Sequence, residues 1–463
     1  MPIEVAFLHV PRWSAERREI MVMPLGLPAL ANLLADHGRS CAILHLGLER
    51  EADPAFSLTA WLQLHQPRVV CLSLHWHPQT RAVIDTAERV RIALPDSRIL
   101  VGGLTASVFA RELVESVRCI DGVVRGDGEL PLIEAARIAI DGHGSWEQVP
   151  NLVWRDARGV VRDNGLTWAL DEAFSASLRH GDLRLLQHLE RYLARPLYAD
   201  FSEGTADAQG YAGAAYLNAG RGCTASCASC GGASQSQRDT CGRTGLLLYP
   251  LEKLARDVRE AAHHGATTLR VSFDPPAARA HVTRWFEAIG ASGWRPRLVY
   301  DCWYLPTIPL LDRMARTFAP ESLVVLSPEC GSEGLRLRIR GLPFRNASLL
   351  RAVCEAEARG LRVHCFFSAG LPGETPDDLD ETARLIQRIH EETSAAVSVC
   401  PMFLDPGSPV FREPERWGVR LVRKTLGDFY DSKGIPEGPG YETDHFDERG
   451  ILEACRRLLT VAA

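Results

Sequence analysis

The run Gly220-Arg221-Gly222-Cys223-Thr224-Ala225-Ser226-Cys227-Ala228-Ser229-Cys230-Gly231-Gly232 sets three cysteines at C-x3-C-x2-C between glycines. Short, turn-rich loops of this kind hold iron–sulfur clusters through their thiolates. A cubane has four irons, so three thiolates leave one iron open to another ligand. Glycines on both sides let the backbone turn tightly around such a group. A structural zinc, with Cys241 as fourth ligand, is the other reading of these thiols, because zinc takes four N or S ligands. That reading lacks the paired C-x2-C spacing usual at zinc sites and leaves the Gly-Gly continuation unexplained.

The rest of the composition narrows the class. At 463 residues two or three domains with ample core are expected. Hydrophobic residues make up 46% and charged residues 24%, the balance of an ordinary soluble protein. A net charge of −6 gives no electrostatic case for a nucleic-acid partner. Glu4 stands where a signal peptide needs basic residues, and no apolar run reaches transmembrane length. Thirteen cysteines without a secretory signal point to reduced thiols and a cytoplasmic setting. No nucleic-acid and no membrane partner is therefore expected.

Residues 1–165 read as alternating strands and helices. Strands are expected at Ile3–Val10, Cys41–Leu48, Val69–Leu74, Arg98–Val101 and Ile120–Val124, with helices between them such as Thr80–Leu94. Apolar strands in that alternation argue a doubly wound, parallel, Rossmann-like sheet with its ligand crevice at the strand carboxyl ends. The loops there are Ser73–Pro78, Gly102–Ser107 and Arg125–Glu129, rich in small residues that let a flat ligand lie against backbone. Residues 166–210 read as a helical connector, from Leu183, Leu185, Leu186 and Leu189 at helical spacing, with a mobile link over Ser202–Gly213.

Residues 211–405 read as six strand-then-helix units. The cysteine loop leaves the first strand, Ala214–Ala219, and later strands end in Asp274, in Ser327-Pro328-Glu329 and in Gly370-Leu371-Pro372-Gly373-Glu374. Parallel strands joined by helices close into a barrel or part of one, with chemistry at the strand carboxyl ends. Residues 406–463 form a small C-terminal helical cover, with helices expected at Leu421–Tyr430 and Arg449–Val461.

On these residues the cysteine loop resembles the signature of the radical SAM superfamily, whose open iron chelates S-adenosylmethionine (SAM). The loops of the first domain, standing before that signature, resemble the cobalamin-binding domain of the B12-type members, and the resemblance then covers most of the chain. It implies a 4Fe–4S cluster on Cys223, Cys227 and Cys230, and a partial (β/α)6 barrel around SAM. It places the SAM amine at Gly231 and Gly232, and the rest of SAM at Asp274, Ser327, Glu329, Gly370 and Pro372. Arg338 and Arg340 are the guanidinium groups available to its carboxylate. Cobalamin is implied at Leu74, His75, Gly102, Gly103, Thr105, Gly126 and Glu129, with His75 or Trp76 a candidate to lie beneath the corrin. Three departures stand out: Ser229 replaces an aromatic residue, Ala233 replaces the acidic residue of the Gly-Gly-Glu segment, and Pro11-Arg12-Trp13-Ser14 lacks the D-x-H-x-x-G motif of histidine-ligated cobalamin.

The resemblance implies an enzyme, a cobalamin-dependent methyltransferase acting on a small molecule or peptide-derived product and fed electrons by a flavodoxin or ferredoxin. A radical rearrangement, cyclisation or transfer of another SAM-derived group, with cobalamin auxiliary or absent, is the first alternative. A non-catalytic cluster or cobalamin sensor is the second. Tyr430, Tyr441 and His445 are candidates to line the substrate opening.

Overall fold

The computed structural model describes residues 2–13, 19–20, 22–195, 211–432 and 438–462. Most of the link expected over Ser202–Gly213 therefore lies outside the described residues. The chain divides into two compact units: Met1–Arg195 with Ser236–Thr244 and Lys424–Pro436, and the remainder.

The first unit is built on a seven-stranded sheet. Its strands are β1 (Val5–His9), β2 (Cys41–His45), β3 (Val69–Ser73), β4 (Arg98–Gly102), β5 (Gly122–Val124), β6 (Leu152–Arg155) and β7 (Val161–Asp163). They lie in the order β2-β1-β3-β4-β5-β6-β7. The first five are parallel and the last two antiparallel. β1 is buried along its whole length, which explains its unbroken apolar run. Strand order reverses beside β1, so the crevice opens at the carboxyl ends of β1 and β3. One face packs on helices Gly26–Asp36 and Glu129–Asp141 through Phe7, Leu27, Leu34, Leu132 and Ala135.

The second unit carries six parallel strands in sequence order: β8 (Ala214–Tyr216), β9 (Thr268–Val271), β10 (Arg297–Cys302), β11 (Leu323–Glu329), β12 (Arg362–Ala369) and β13 (Ala396–Pro401). Sequential order with no pairing of β8 to β13 among the described residues is a partial barrel. Alternation decides what faces its lumen. Leu269, Val271, Tyr300, Cys365 and Phe367 are wholly buried and point outward to the helices, so Arg270, Asp301, Phe366 and Ser368 point inward. The α/β fold expected from the sequence is present in both units.

Three local expectations are corrected. Leu183–Leu189 is not one helix: among the described residues of the connector only Glu172–Ser175 and Leu189–Ala194 are helical, and Leu186 forms a parallel bridge with Ile43 on the edge of β2. Burial of Leu186 against that edge outweighs its helical spacing. β8 is shorter than expected because Asn218 Oδ1 takes the Ser272 N–H at 2.9 Å. The chain then enters the cysteine loop through an antiparallel ribbon, Gly220–Gly222 on Leu246–Leu248. In the tail, Val419–Leu421 pairs with Tyr441–Thr443, and the helices are Leu426–Asp431 and Glu448–Ala462.

Candidate functional site

The cysteine loop is held from both sides. Ala228 packs among Ile339, Leu371, Met402, Leu404 and Val410. Its N–H donates to Ile339 O at 2.8 Å, and its carbonyl accepts from Val410 N at 2.9 Å. These bonds set Cys223, Cys227 and Cys230 around a fixed pivot. The Ala225 N–H reaches Cys223 Sγ at 3.3 Å and the Gly232 N–H reaches Cys230 Sγ at 3.3 Å, the donors a thiolate needs. Burial pushes all three thiols up, Cys230 to about 12 with the Asp405 carboxylate adding to it. A bound cation reverses that preference and deprotonates a coordinating thiol.

This donor set fits a cubane better than a zinc ion. Among the described residues no three His, Cys, Asp or Glu side chains gather as on one ion. Zinc needs its ligands within about 2.3 Å of one point, whereas a cubane takes each thiolate on a different iron. Cys241, the fourth thiol of the zinc reading, packs in the first unit against Gly126.

Around the loop, sequence-expected residues divide into two kinds. Glu329 ends β11 at φ +66, a left-handed backbone held by the register shift after Leu326. Such strain persists only where its surroundings fix it. One oxygen of Glu329 pairs with Arg340 and the other accepts from Ser368 Oγ at 3.0 Å. Arg340 also bonds Cys227 and opposes the rise of its thiol. Ser327 is half-buried on the same strand. Arg338 donates instead to the Pro372 and Gly373 carbonyls at 3.2 and 3.1 Å, fixing the loop after β12.

Asp274 is different. It is wholly buried, and its oxygens are taken by Arg279 at 2.9 and 2.7 Å, Tyr300 Oη at 3.0 Å and Trp303 N at 3.0 Å. The carboxylate buckles the loops after β9 and β10 and offers no open edge to a ligand. Tyr441 is likewise a core residue, its hydroxyl on Met402 O at 3.2 Å and close to Gly370. Tyr430 belongs to the first unit, where its hydroxyl bonds Asp85 at 3.0 Å. His445 lies between the Tyr441–Thr443 strand and the Glu448–Ala462 helix.

In the first unit the three expected loops do come together at the strand ends. Leu74 N donates to Gly102 O at 2.8 Å, Ala106 N to Leu74 O at 3.1 Å, and Thr105 Oγ1 to His75 O at 3.1 Å. Gly126 N meets Ser107 Oγ at 3.0 Å. Gly103 has φ +120, and a Cβ there would lie 2.5 Å from Leu74 O. Only glycine lets the two loops close this far. Glu129 is buried in the first turn of its helix, where the dipole favours a carboxylate. His75 and Trp76 are half-buried with rings 4.8 Å apart. Sequence reading passed over His9 and His45, adjacent at the ends of β1 and β2, wholly buried, with rings 4.7 Å apart. Their signal was a histidine closing each of two apolar strands.

A doubly wound sheet and a partial barrel bearing a three-cysteine loop define the class as two-unit α/β proteins. Residues 17–136 match the B12 binding domain family. The Hopanoid C-3 methylase of Methylococcus capsulatus is 32% identical over 157 residues, 33% of this chain and 28% of that protein. An uncharacterised protein of Methanocaldococcus jannaschii is 32% identical over 99 residues, 21% of this chain and 22% of that protein. The chain thus aligns with less than a third of the length of these curated relatives. The radical S-adenosylmethionine methyltransferase TsrM from Kitasatospora setae, with cobalamin and a 4Fe–4S cluster bound, superposes at TM-score 0.70 and 16% identity, covering 99% of this chain and 91% of that one. The cobalamin-dependent S-adenosylmethionine radical enzyme OxsB, with aqua-cobalamin and S-adenosylmethionine bound, superposes at TM-score 0.68 and 14% identity, covering 98% and 66%. Residues 17–136 thus carry the B12 binding domain match, and the fold of the chain is similar to that of these two solved enzymes. The cofactors expected from the sequence are those these solved relatives carry. No described helix is long and apolar enough to cross a membrane.

Proposed function

We propose that the chain is a cobalamin-dependent radical SAM methyltransferase acting on a small-molecule or peptide-derived substrate, with a flavodoxin or ferredoxin as electron donor. The observation that carries this reading is the union, in one chain, of a B12-binding match with a three-cysteine loop leaving the first strand of a partial barrel. When bound, the cluster supplies the electron that cleaves SAM, and cobalamin carries the methyl group. The chain's own residues do the positioning. Cys223, Cys227 and Cys230 hold the cluster, and Gly231 and Gly232 form the turn for the SAM amine. Glu329, Ser327 and the Gly370–Pro372 loop border the nucleoside, with Arg340 beside Cys227 for the carboxylate. Leu74, His75, Gly102, Gly103, Thr105, Gly126 and Glu129 form the cobalamin cradle, whose closure at Gly103 leaves a flat backbone surface.

Anaerobic reconstitution with iron, sulfide and hydroxocobalamin, then desalting and metal analysis, tests the reading. About four irons and one cobalt per chain are expected. S-adenosylhomocysteine and a labelled methyl product from labelled SAM would support methyl transfer. A cluster without cobalt, yielding 5′-deoxyadenosine and no methylated product, would replace it with radical rearrangement.

A further inference from the structure

Asp274 and Arg279 direct their hydrogen bonds to one short stretch of backbone after β10. Asp274 Oδ2 accepts the Trp303 N–H at 3.0 Å, while Arg279 donates to Tyr304 O and Leu305 O, each at 3.0 Å. A wholly buried carboxylate and its guanidinium thus fix residues 303–305 by their peptide groups. This stretch lies against the approach to the cysteine loop. Phe273 and Trp303 meet edge to face with rings 5.9 Å apart, and a Cβ on Gly220 would lie 3.0 Å from Phe273 Cζ. Gly220 opens the ribbon that runs directly into Cys223.

Tyr304 stands in the middle of the clamped stretch and is half-buried. Burial raises its phenol, the Cys227 and Cys223 thiolates add to that rise, and Arg340 and Arg279 oppose it. The ring is therefore close to the Cys223–Cys227 side of the loop, on the side of Arg340. Tyr304 makes its hydrogen bonds through its backbone, and its hydroxyl has no partner among the described residues. A half-buried hydroxyl of this kind, on a backbone so firmly held, is a donor available to a bound group.

We propose that the Tyr304 hydroxyl donates to a sulfur of the cluster on the Cys223–Cys227 side and raises the potential at which the cluster accepts its electron. This rests on reading the cysteine loop as the cluster site. Reduction adds negative charge to the sulfurs, so an O–H donor stabilises the reduced cluster more than the oxidised one, and such bonds help set cluster potentials. Asp274 and Arg279 act through Tyr304, as its positioning pair.

The test is a redox titration of anaerobically reconstituted wild-type and Y304F protein without SAM, followed by electron paramagnetic resonance of the reduced cluster. Phenylalanine keeps the ring and removes only the hydroxyl. At equal iron and sulfide content, Y304F should have the more negative midpoint potential. It should also lack an exchangeable-proton coupling that electron–nuclear double resonance detects in wild type. Equal potentials, or an unchanged set of proton couplings, overturn the proposal. A shift that appears only after SAM is added assigns the hydroxyl to SAM and overturns it as well. 3-Fluorotyrosine at position 304, a stronger donor of nearly the same shape, should move the potential the other way, and it decides the matter if Y304F holds no cluster. Wild type that takes up no iron and sulfide would remove the functional reading itself, and the proposal with it.

Discussion

Glu374 gives the sharpest consequence of the barrel's construction. Its side chain is wholly buried in the loop after β12, where Oε2 accepts from Gly370 N at 2.7 Å and Leu371 N at 3.3 Å. Oε1 is buried with no hydrogen-bond partner among the described residues. Burial outweighs the two N–H donors and pushes the carboxyl up to about 8. An unfolded glutamate titrates near 4.3. Between those values the folded protein binds more protons than the unfolded chain, so stability falls as pH rises. The contribution is whole below the unfolded pKa and is lost as pH climbs through the folded one. From pH 6 to pH 8 the loss is about 2 kcal/mol, at up to about 1.4 kcal/mol per unit. E374Q keeps an oxygen for the two N–H groups and cannot ionise. Urea unfolding of both proteins at the two pH values, followed by circular dichroism, should show the mutant gaining about 2 kcal/mol on wild type at the higher pH. Parallel pH profiles would refute the reasoning, because Glu374 is the one ionisable group in which the two chains differ.

Other substitutions probe the remaining assignments. Each of Cys223→Ala, Cys227→Ala and Cys230→Ala should abolish retention of iron and sulfide after reconstitution, and one variant with full content would remove that residue from the ligand set. G103A forces a Cβ to 2.5 Å from Leu74 O at a φ of +120. It should destabilise the first unit by about 3 kcal/mol in urea unfolding and weaken cobalamin retention, while the iron content stays. D274N leaves Arg279 without its buried carboxylate and should cost about 3 kcal/mol of stability. A D274N protein as stable as wild type but impaired in SAM binding would return Asp274 to the cofactor site.

What the sequence made legible is what lies close along the chain. The strand–helix alternation and the cysteine loop are local patterns, and each strand-end loop is named by its own few residues. The failures are cases where a partner arrives from afar. Leu186 has helical spacing, yet an open sheet edge at Ile43 claims it. Asp274 looks like any strand-end acid until Tyr300 and Trp303, on the next strand and its loop, fill its oxygens. Tyr441 reads as an aromatic in a late loop until Met402 and Gly370 close over it. Asp405 is 174 residues from the glycine it touches, and no spacing rule reaches that far. The segment after β13 passes the cysteine turn on its way to Val410 and its bond to Ala228. A carboxylate on that segment is therefore a neighbour of Gly231 by the topology of the barrel.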